Sequence, residues 1–222
     1  MNHNINAARS NMIEQQVRPW DVLDQRVLDV LAEVPREAFV EPSRAGVAYS
    51  DFPLPIGHGQ HMLKPTLDGR LLQSLSLLLT DRVLEIGTGS GYLTNCIARL
   101  AAHCESLEIV PELAASASAR LSELGVSNVA VREADGAAEW SGQDTYDAIL
   151  FGGSVRDVPE RFLRLLVPGG RLVAITGRAD GPTMEAVLHT RIHADEWVTE
   201  GLFDTRVEPL LNFAGAPTTF VF

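Results

Sequence analysis

The chain has 222 residues, 45% of them hydrophobic, which suits one α/β unit with a sizeable core. Its 18 basic and 29 acidic side chains give a net charge of -11, which opposes phosphate-backbone binding and makes nucleic acid a poor partner. Two cysteines, Cys96 and Cys104, support neither a disulfide framework nor a zinc cluster, so a reducing cytoplasm and no metal site are expected.

Met1 to Gln16 lacks the apolar segment of a signal peptide, and no run is long enough to span a membrane, so no membrane partner is expected. Without repeats or long linkers, residues 1–222 read as a single domain. It divides into an N-terminal helical and loop region, 1–65, and an α/β core, 66–222.

Ala7 to Val17 reads as a first helix, broken at Arg18-Pro19 because the residue before a proline is pushed out of the α region. Asp21 or Asp24 can cap a second helix through Glu33, with Val27, Leu28, Val30, Leu31 and Val34 as a core-facing stripe. Tyr49 to Pro65 is rich in Pro and Gly and reads as a structured loop, of a length that is usually functional. An apolar helix is predicted over Thr66 to Leu79, with Asp68 in its first turn.

Val83 to Ile86 is a short apolar run of the buried-strand kind, broken by Gly87-Thr88-Gly89-Ser90-Gly91 and resumed as a helix-compatible segment to Arg99. Glycines at such a turn allow positive φ and close backbone approach, and the following helix offers unpaired N–H groups to a ligand. A dinucleotide and S-adenosylmethionine both fit a strand-to-helix turn of this kind. The spacing G-x-G-x-G, with Glu85 in the strand before it, departs from the dinucleotide pattern G-x-G-x-x-G and resembles the first motif of class I S-adenosylmethionine-dependent methyltransferases.

Cys104 to Ile109 reads as the next strand; its acid, Glu108, can accept hydrogen bonds from both ribose hydroxyls, and Ile109 follows it in the cofactor site. Leu113 to Leu124 reads as a helix closed by Gly125. A strand over Asn128 to Glu133 leads to Asp135-Gly136, where the carboxylate can reach an adenine amino group. Asp147 to Phe151, Gly170 to Thr176 and Met184 to Ile192 read as further strands, and Val158 to Leu166 as a helix. Gly152-Gly153-Ser154 is either a plain turn or a close approach to a methyl acceptor. Strands alternating with helices imply a mostly parallel sheet with helices on both faces and ligands at the strands' carboxyl ends. Thr218 to Phe222 has β propensity.

The segments Val83 to Tyr92, Glu108, Asp135-Gly136, Tyr146 to Ile149 and Leu166 to Val173 together resemble a class I S-adenosylmethionine-dependent methyltransferase. Within that group the chain resembles the protein-L-isoaspartate O-methyltransferases, from about Asn11 to Leu210. Gly57-His58-Gly59-Gln60-His61-Met62-Leu63-Lys64-Pro65 is similar to their G-x-G-Q-T-I-S-x-P in its glycines, glutamine and proline. His61, Met62 and Leu63 replace the threonine, isoleucine and serine, the last being regarded as the substrate-positioning hydroxyl.

Pro35 to Val40 resembles the family's P-R-x-x-F-V, which makes Phe39 the anchor of the N-terminal region on the core. Phe203 to Leu210 resembles its closing strand before F-x-P-L. The resemblance implies a Rossmann-like seven-stranded sheet with the last strand antiparallel and extra N-terminal helices. It also implies methylation of isoaspartyl carboxylates in proteins or peptides, whose esters collapse to the succinimide that permits repair.

A carboxylate acceptor, with an ordinary pKa of about 4, is ionised at neutral pH and needs no general base. His61 is the candidate catalytic residue: protonated it can pair with an acceptor carboxylate, and neutral it can serve as base for a hydroxyl or amine. His58 and His61 can equally be loop histidines packed near the cofactor. Two further readings stay open: a same-fold methyltransferase with a different small-molecule or protein acceptor, and a noncatalytic cofactor-binding module.

Overall fold

The computed structural model describes residues 2–138 and 145–213. Helix α1, Asn2–Met12, runs on through a π turn over Ile13–Val17 and a 3-10 turn over Arg18–Trp20. The predicted break at Arg18 is absent: Arg18 keeps helical angles (φ -58°, ψ -45°), and the chain turns away at Asp21, in the left-handed region at φ 60°. The π turn explains this. The Arg18 N–H reaches back to the Ile13 carbonyl, and the widened turn makes room where a proline ring would meet the backbone.

Helix α2, Gln25–Glu33, starts at Asp24, whose carboxylate accepts the Arg26 N–H at 2.9 Å. All five residues of its predicted stripe are buried. Phe39 ends a 3-10 turn begun at Arg36 and sets its ring against Tyr92, centroids 5.5 Å apart, in the anchoring role expected of it.

The Pro- and Gly-rich stretch is more ordered than its composition predicts. Strands β1, Leu54–Gly57, and β2, Gln60–Met62, form an antiparallel hairpin that pairs Leu54 with Met62 and Pro55 with His61. Gly57, His58 and Gly59 make the turn at φ 92°, 53° and 70°. Strands this short show no readable alternation, which is why the sequence gives only a loop.

Helix α3, Pro65–Leu75, begins after Lys64 and ends four residues before the predicted Leu79, with Ser76 as its left-handed cap. Asp81 draws the chain out of the helix there: its carboxylate takes the Leu78 N–H at 2.9 Å, leaving Leu78 and Leu79 exposed.

The remaining elements in order are β3 (Arg82–Ile86), α4 (Tyr92–Leu100), β4 (His103–Glu108), α5 (Pro111–Glu123), β5 (Val129–Glu133), β6 (Tyr146–Val155), α6 (Glu160–Arg164), β7 (Leu166–Thr176), β8 (Met184–His193) and β9 (Glu196–Thr205). As predicted, Gly125 closes α5, at φ 72° with its N–H on the Ser122 carbonyl and the Val126 N–H on that of Leu121.

Strands β3 to β9 form one sheet in the order β5-β4-β3-β6-β7-β8-β9. The pairs from β5 to β7 are parallel, whereas β7–β8 and β8–β9 are antiparallel, so β8 alone runs against the others. The last strand is therefore parallel to β3, contrary to the sequence expectation. The closing strand is also displaced, to Glu196–Thr205, and Val207 to Leu210 leaves the sheet to run beside Ser154. Thr218 to Phe222 lies outside the described residues.

Alternate strand residues fill two cores. Val83, Ala148, Leu150, Val173 and Ile175 face α2, α3 and α4, while Leu84, Ile149, Phe151, Leu172 and Ala174 face Phe162 of α6. Among the described residues no helix is long and apolar enough to cross a membrane.

The N-terminal layer is tied to the sheet by a fully buried ion pair. Arg36 meets the Asp68 carboxylate at 2.6 Å, donates to the Ala48 carbonyl at 2.8 Å and to the Leu63 carbonyl, and lies 4.6 Å from the Tyr92 ring centre. Removing the cation strands a carboxylate in the interior. Arg36→Met should therefore cost about 3–5 kcal/mol in urea unfolding. Arg36→Met combined with Asp68→Leu should recover much of that loss; a single variant as stable as wild type would contradict this account.

Candidate active site

The order of strands reverses about β3, with β4 on one side and β6 on the other, and a cleft lies at the carboxyl ends there. The glycine turn leaves β3 with Gly87, Gly89 and Gly91 at φ 93°, 53° and 85°. It hangs on the neighbouring strand, since the N–H groups of Gly87 and Thr88 donate to the Leu107 carbonyl at 2.8 and 3.2 Å. The glycines are also sterically required. A Cβ on Gly87 would stand 2.7 Å from the Leu210 side chain, and one on Gly91 would stand 3.2 Å from the Ala117 Cβ on α5.

Gly87, Gly89, Glu108, Ile109, Asp135, Gly136 and His61 line the same cleft, of about 70 Å³. Glu108 accepts the Gly89 N–H on Oε2 at 2.8 Å and the Val110 N–H on Oε1 at 3.0 Å. Asp135 accepts the Ala137 N–H at 2.8 Å and the Asn212 amide at 2.7 Å. Each carboxylate oxygen keeps a lone pair for a further donor.

Glu85, Thr88, Ser90 and Gly91 stand differently. Glu85 is wholly buried beneath the turn, where Oε2 accepts the hydroxyls of Thr94 at 2.5 Å and Ser106 at 2.6 Å, and it is not among the residues that line this cleft. The Thr88 hydroxyl is taken by Ser106 at 2.5 Å, and that of Ser90 accepts the Tyr92 N–H at 3.3 Å. Both residues, each nearly buried, line a narrow space between the turn and the hairpin. Gly91 serves helix packing. Burial hides these roles from a reading based on spacing.

A larger cleft, of about 510 Å³, adjoins the first and is lined by His61, Leu63, Lys64, Gly153, Arg206 and Glu208 among others. Gln60, His61, Gly152 and Leu210 line both clefts. Gly152 and Gly153 lie within β6 and not in a turn; a Cβ on Gly152 would stand 2.6 Å from the Gly87 carbonyl oxygen. The two histidines are separated by the hairpin. His58 is exposed at its tip, whereas His61 faces both clefts and shares a 2.8 Å hydrogen bond with Glu208.

The sequence reading missed the contribution of residues 206–213. Leu210 covers Gly87, and Phe213 stands near Gly136 with its ring edge-on to Phe151, centroids 5.6 Å apart. Val207 to Leu210 carries a motif resemblance that places it at the end of the closing strand and says nothing of the cleft, and Phe213 carries no signal.

This sheet, with its glycine turn and its acids at successive strand ends, defines a class I S-adenosylmethionine-dependent methyltransferase. Residues 7–199 match the family model of the protein-L-isoaspartate(D-aspartate) O-methyltransferases, and the chain belongs to that family. It is 39% identical over 209 residues to protein-L-isoaspartate O-methyltransferase 1 of Rhodopseudomonas palustris strain HaA2, covering 94% of this chain and 85% of the relative. It is 42% identical over 196 residues to the protein-L-isoaspartate O-methyltransferase of Anaeromyxobacter dehalogenans strain 2CP-C, covering 88% of this chain and 93% of the relative.

Among solved structures, the fold is similar to a Plasmodium falciparum protein assigned as a protein-L-isoaspartate O-methyltransferase, in complex with S-adenosyl-L-homocysteine. The TM-score is 0.77 at 21% identity, covering 94% of this chain and 98% of that one. It is similar also to a structure of a protein-L-isoaspartate O-methyltransferase, with a TM-score of 0.78 at 23% identity, covering 92% of this chain and 67% of that one.

Burial pushes the Glu85 carboxyl up to about 7, against the opposing effect of the Ser106 and Thr94 hydroxyls. The folded protein holds this proton more tightly than the unfolded chain does. The penalty for ionising Glu85 is thus absent below its unfolded value, grows as pH rises toward about 7 and is complete above it. Relative to wild type, Glu85→Gln should gain stability on the order of 1–3 kcal/mol between about pH 5 and about pH 8, measured by urea unfolding at each pH. A difference that stays constant over that range would count against the raised value.

Proposed function

We propose that this enzyme transfers a methyl group from S-adenosylmethionine to the carboxylate of isoaspartyl residues in proteins. The carrying observation is the shared wall of the two clefts at Gln60, His61, Gly152 and Leu210, where a donor at the glycine turn and an acceptor in the larger cleft can meet.

The residues present fit the cofactor. Glu108 can accept the ribose hydroxyls and Asp135 the adenine amino group, with Ile109 as apolar wall, and Gly87 and Gly89 leave a cradle free of Cβ atoms. Thr88, Ser90, Gly91 and Glu85 support this wall from behind through the bonds and packing described above. When bound, S-adenosylmethionine supplies an electrophilic methyl group on a sulfonium.

In a chain of net charge -11, the larger cleft nevertheless carries His61, Lys64 and Arg206, which suits an anionic acceptor. Lys64 is 3.6 Å from Asp51, and Arg206 donates to the carbonyls of Ala179 and Gly181, so these cations are held in place. A carboxylate acceptor needs no base; what this chain supplies is orientation, which can contribute roughly 7–11 kcal/mol. Cys96 and Cys104, both free and buried, support a reducing cytoplasm as its location.

A second reading, a different small-molecule or protein acceptor, is favoured by Leu63, which brings an apolar side chain to the cleft where the family's serine would stand. Matched isoaspartyl and aspartyl peptides separate the two. Labelled methyl should pass from S-adenosylmethionine to the isoaspartyl peptide alone; cofactor binding with neither peptide labelled would favour the second reading. In calorimetry, Glu108→Gln should weaken S-adenosylhomocysteine binding by about 10- to 100-fold, the worth of a hydrogen bond to a charged group. Unchanged affinity would remove Glu108 from the cofactor site.

A further inference from the structure

His61 and Glu208 lie 147 residues apart in sequence and share a hydrogen bond of 2.8 Å between Nδ1 and Oε2. Each partner is fixed by its backbone. His61 is paired with Pro55 in the hairpin. Around Glu208, the Ser154 N–H donates to the Glu208 carbonyl at 2.9 Å, the Leu210 N–H returns to the Ser154 carbonyl at 2.9 Å, and the Ser154 hydroxyl donates to the Val207 carbonyl at 3.1 Å. The side chains remain 35% and 57% exposed, so the pair contributes little stability, and its consequence is positional.

Other charged groups share the walls around His61. Lys64 and Arg206 lie on the acceptor side, Asp68 beneath the hairpin, and Glu108 and Asp135 on the cofactor side. Lys64 is engaged with Asp51, Arg206 with two carbonyls, Asp68 with Arg36, and Glu108 and Asp135 with backbone N–H groups. Glu208 is the charged side chain that bonds the imidazole.

We propose that Glu208 is a positioning residue: it holds the Nδ1 proton of His61 and leaves Nε2 as the ring nitrogen for the methyl acceptor, so that protonated His61 binds the isoaspartyl carboxylate where Leu63 offers no hydroxyl. An ionised carboxylate only accepts, which fixes the shared proton on Nδ1. The acceptor oxygen takes the methyl and displaces sulfur together with its bonding pair; no proton moves, and His61 keeps both ring protons. This inference rests on the isoaspartyl reading above and names how that acceptor is held.

Steady-state kinetics of the full chain with S-adenosylmethionine and an isoaspartyl peptide test it, for wild type, Glu208→Gln, Glu208→Asp, His61→Gln and the Glu208→Gln/His61→Gln double variant. Glu208→Gln should raise the peptide KM roughly tenfold with a smaller change in kcat, the size of one lost charge-assisted contact, while S-adenosylhomocysteine affinity holds within about twofold. Glu208→Asp should recover part of the loss, and the double variant should be no worse than His61→Gln.

Nitrogen NMR of the histidine rings, without peptide, reads the pair independently of turnover. Neutral His61 should carry its proton on Nδ1 in wild type and lose that preference in Glu208→Gln. Unchanged KM in Glu208→Gln, or a neutral wild-type ring that carries its single proton on Nε2, would overturn the role of Glu208. A wild-type kcat that rises with pH at constant KM would overturn it in favour of His61 as a base. Wild type that binds cofactor yet labels no isoaspartyl peptide would overturn the acceptor reading itself, and the carboxylate role of His61 with it, whatever the ring tautomer.

Discussion

The contact of Arg36 with Asp68 determines whether the first 65 residues are part of the site or merely attached to it. One guanidinium joins the N-terminal layer, the Ala48 loop, the carbonyl of Leu63 at the exit of the hairpin, the start of α3 and the ring of Tyr92 just after the glycine turn. A buried pair of this kind adds little net stability, because desolvation offsets the attraction. Its effect is on uniqueness: few other arrangements satisfy both charges, so the hairpin carrying His61 is held at one distance from the sheet.

Around that clamp the two clefts have different electrostatic characters. The smaller cleft is lined by Glu108 and Asp135, acceptors suited to hydroxyl and amino donors, while the larger cleft contains Lys64, Arg206 and the pair of His61 with Glu208. Beneath the turn Ser106 links Thr88 to Oε2 of Glu85, while Oε1 of that carboxyl is buried without a partner. The positive-φ glycines Gly87, Gly89 and Gly91 stand over a carboxyl group that burial pushes up to about 7, so that it is partly protonated at neutrality.

Much of the smaller cleft was legible in sequence because its acids and glycines stand at the ends of successive strands. Gly87, Gly89, Glu108 and Asp135 could be placed by counting from apolar runs, and the fold class followed from the alternation of strand and helix. The rest was less legible. Glu85 lies next to the turn in sequence yet faces inward, since strand periodicity says which residues share a face but not which face meets the ligand. The hairpin is too short to alternate, and the end of α3 depends on Asp81, whose carboxylate intercepts a backbone donor. Residues 206–213 reach the site through contacts with Ser154, Asp135 and Gly87 that no local pattern announces.

Leu210 touches the space for both substrates, covering Gly87 on one side and forming part of the acceptor wall on the other. The space beside Gly87, about 70 Å³, opens past Leu210 onto the larger cleft, so that one side chain borders both. A shift on one side reshapes the other, which makes the two binding equilibria linked. By thermodynamic reciprocity, whatever factor the cofactor imposes on acceptor affinity, the acceptor imposes on the cofactor. The methylated product and the spent cofactor are subject to the same linkage, so departure of either one resets the wall that holds the other.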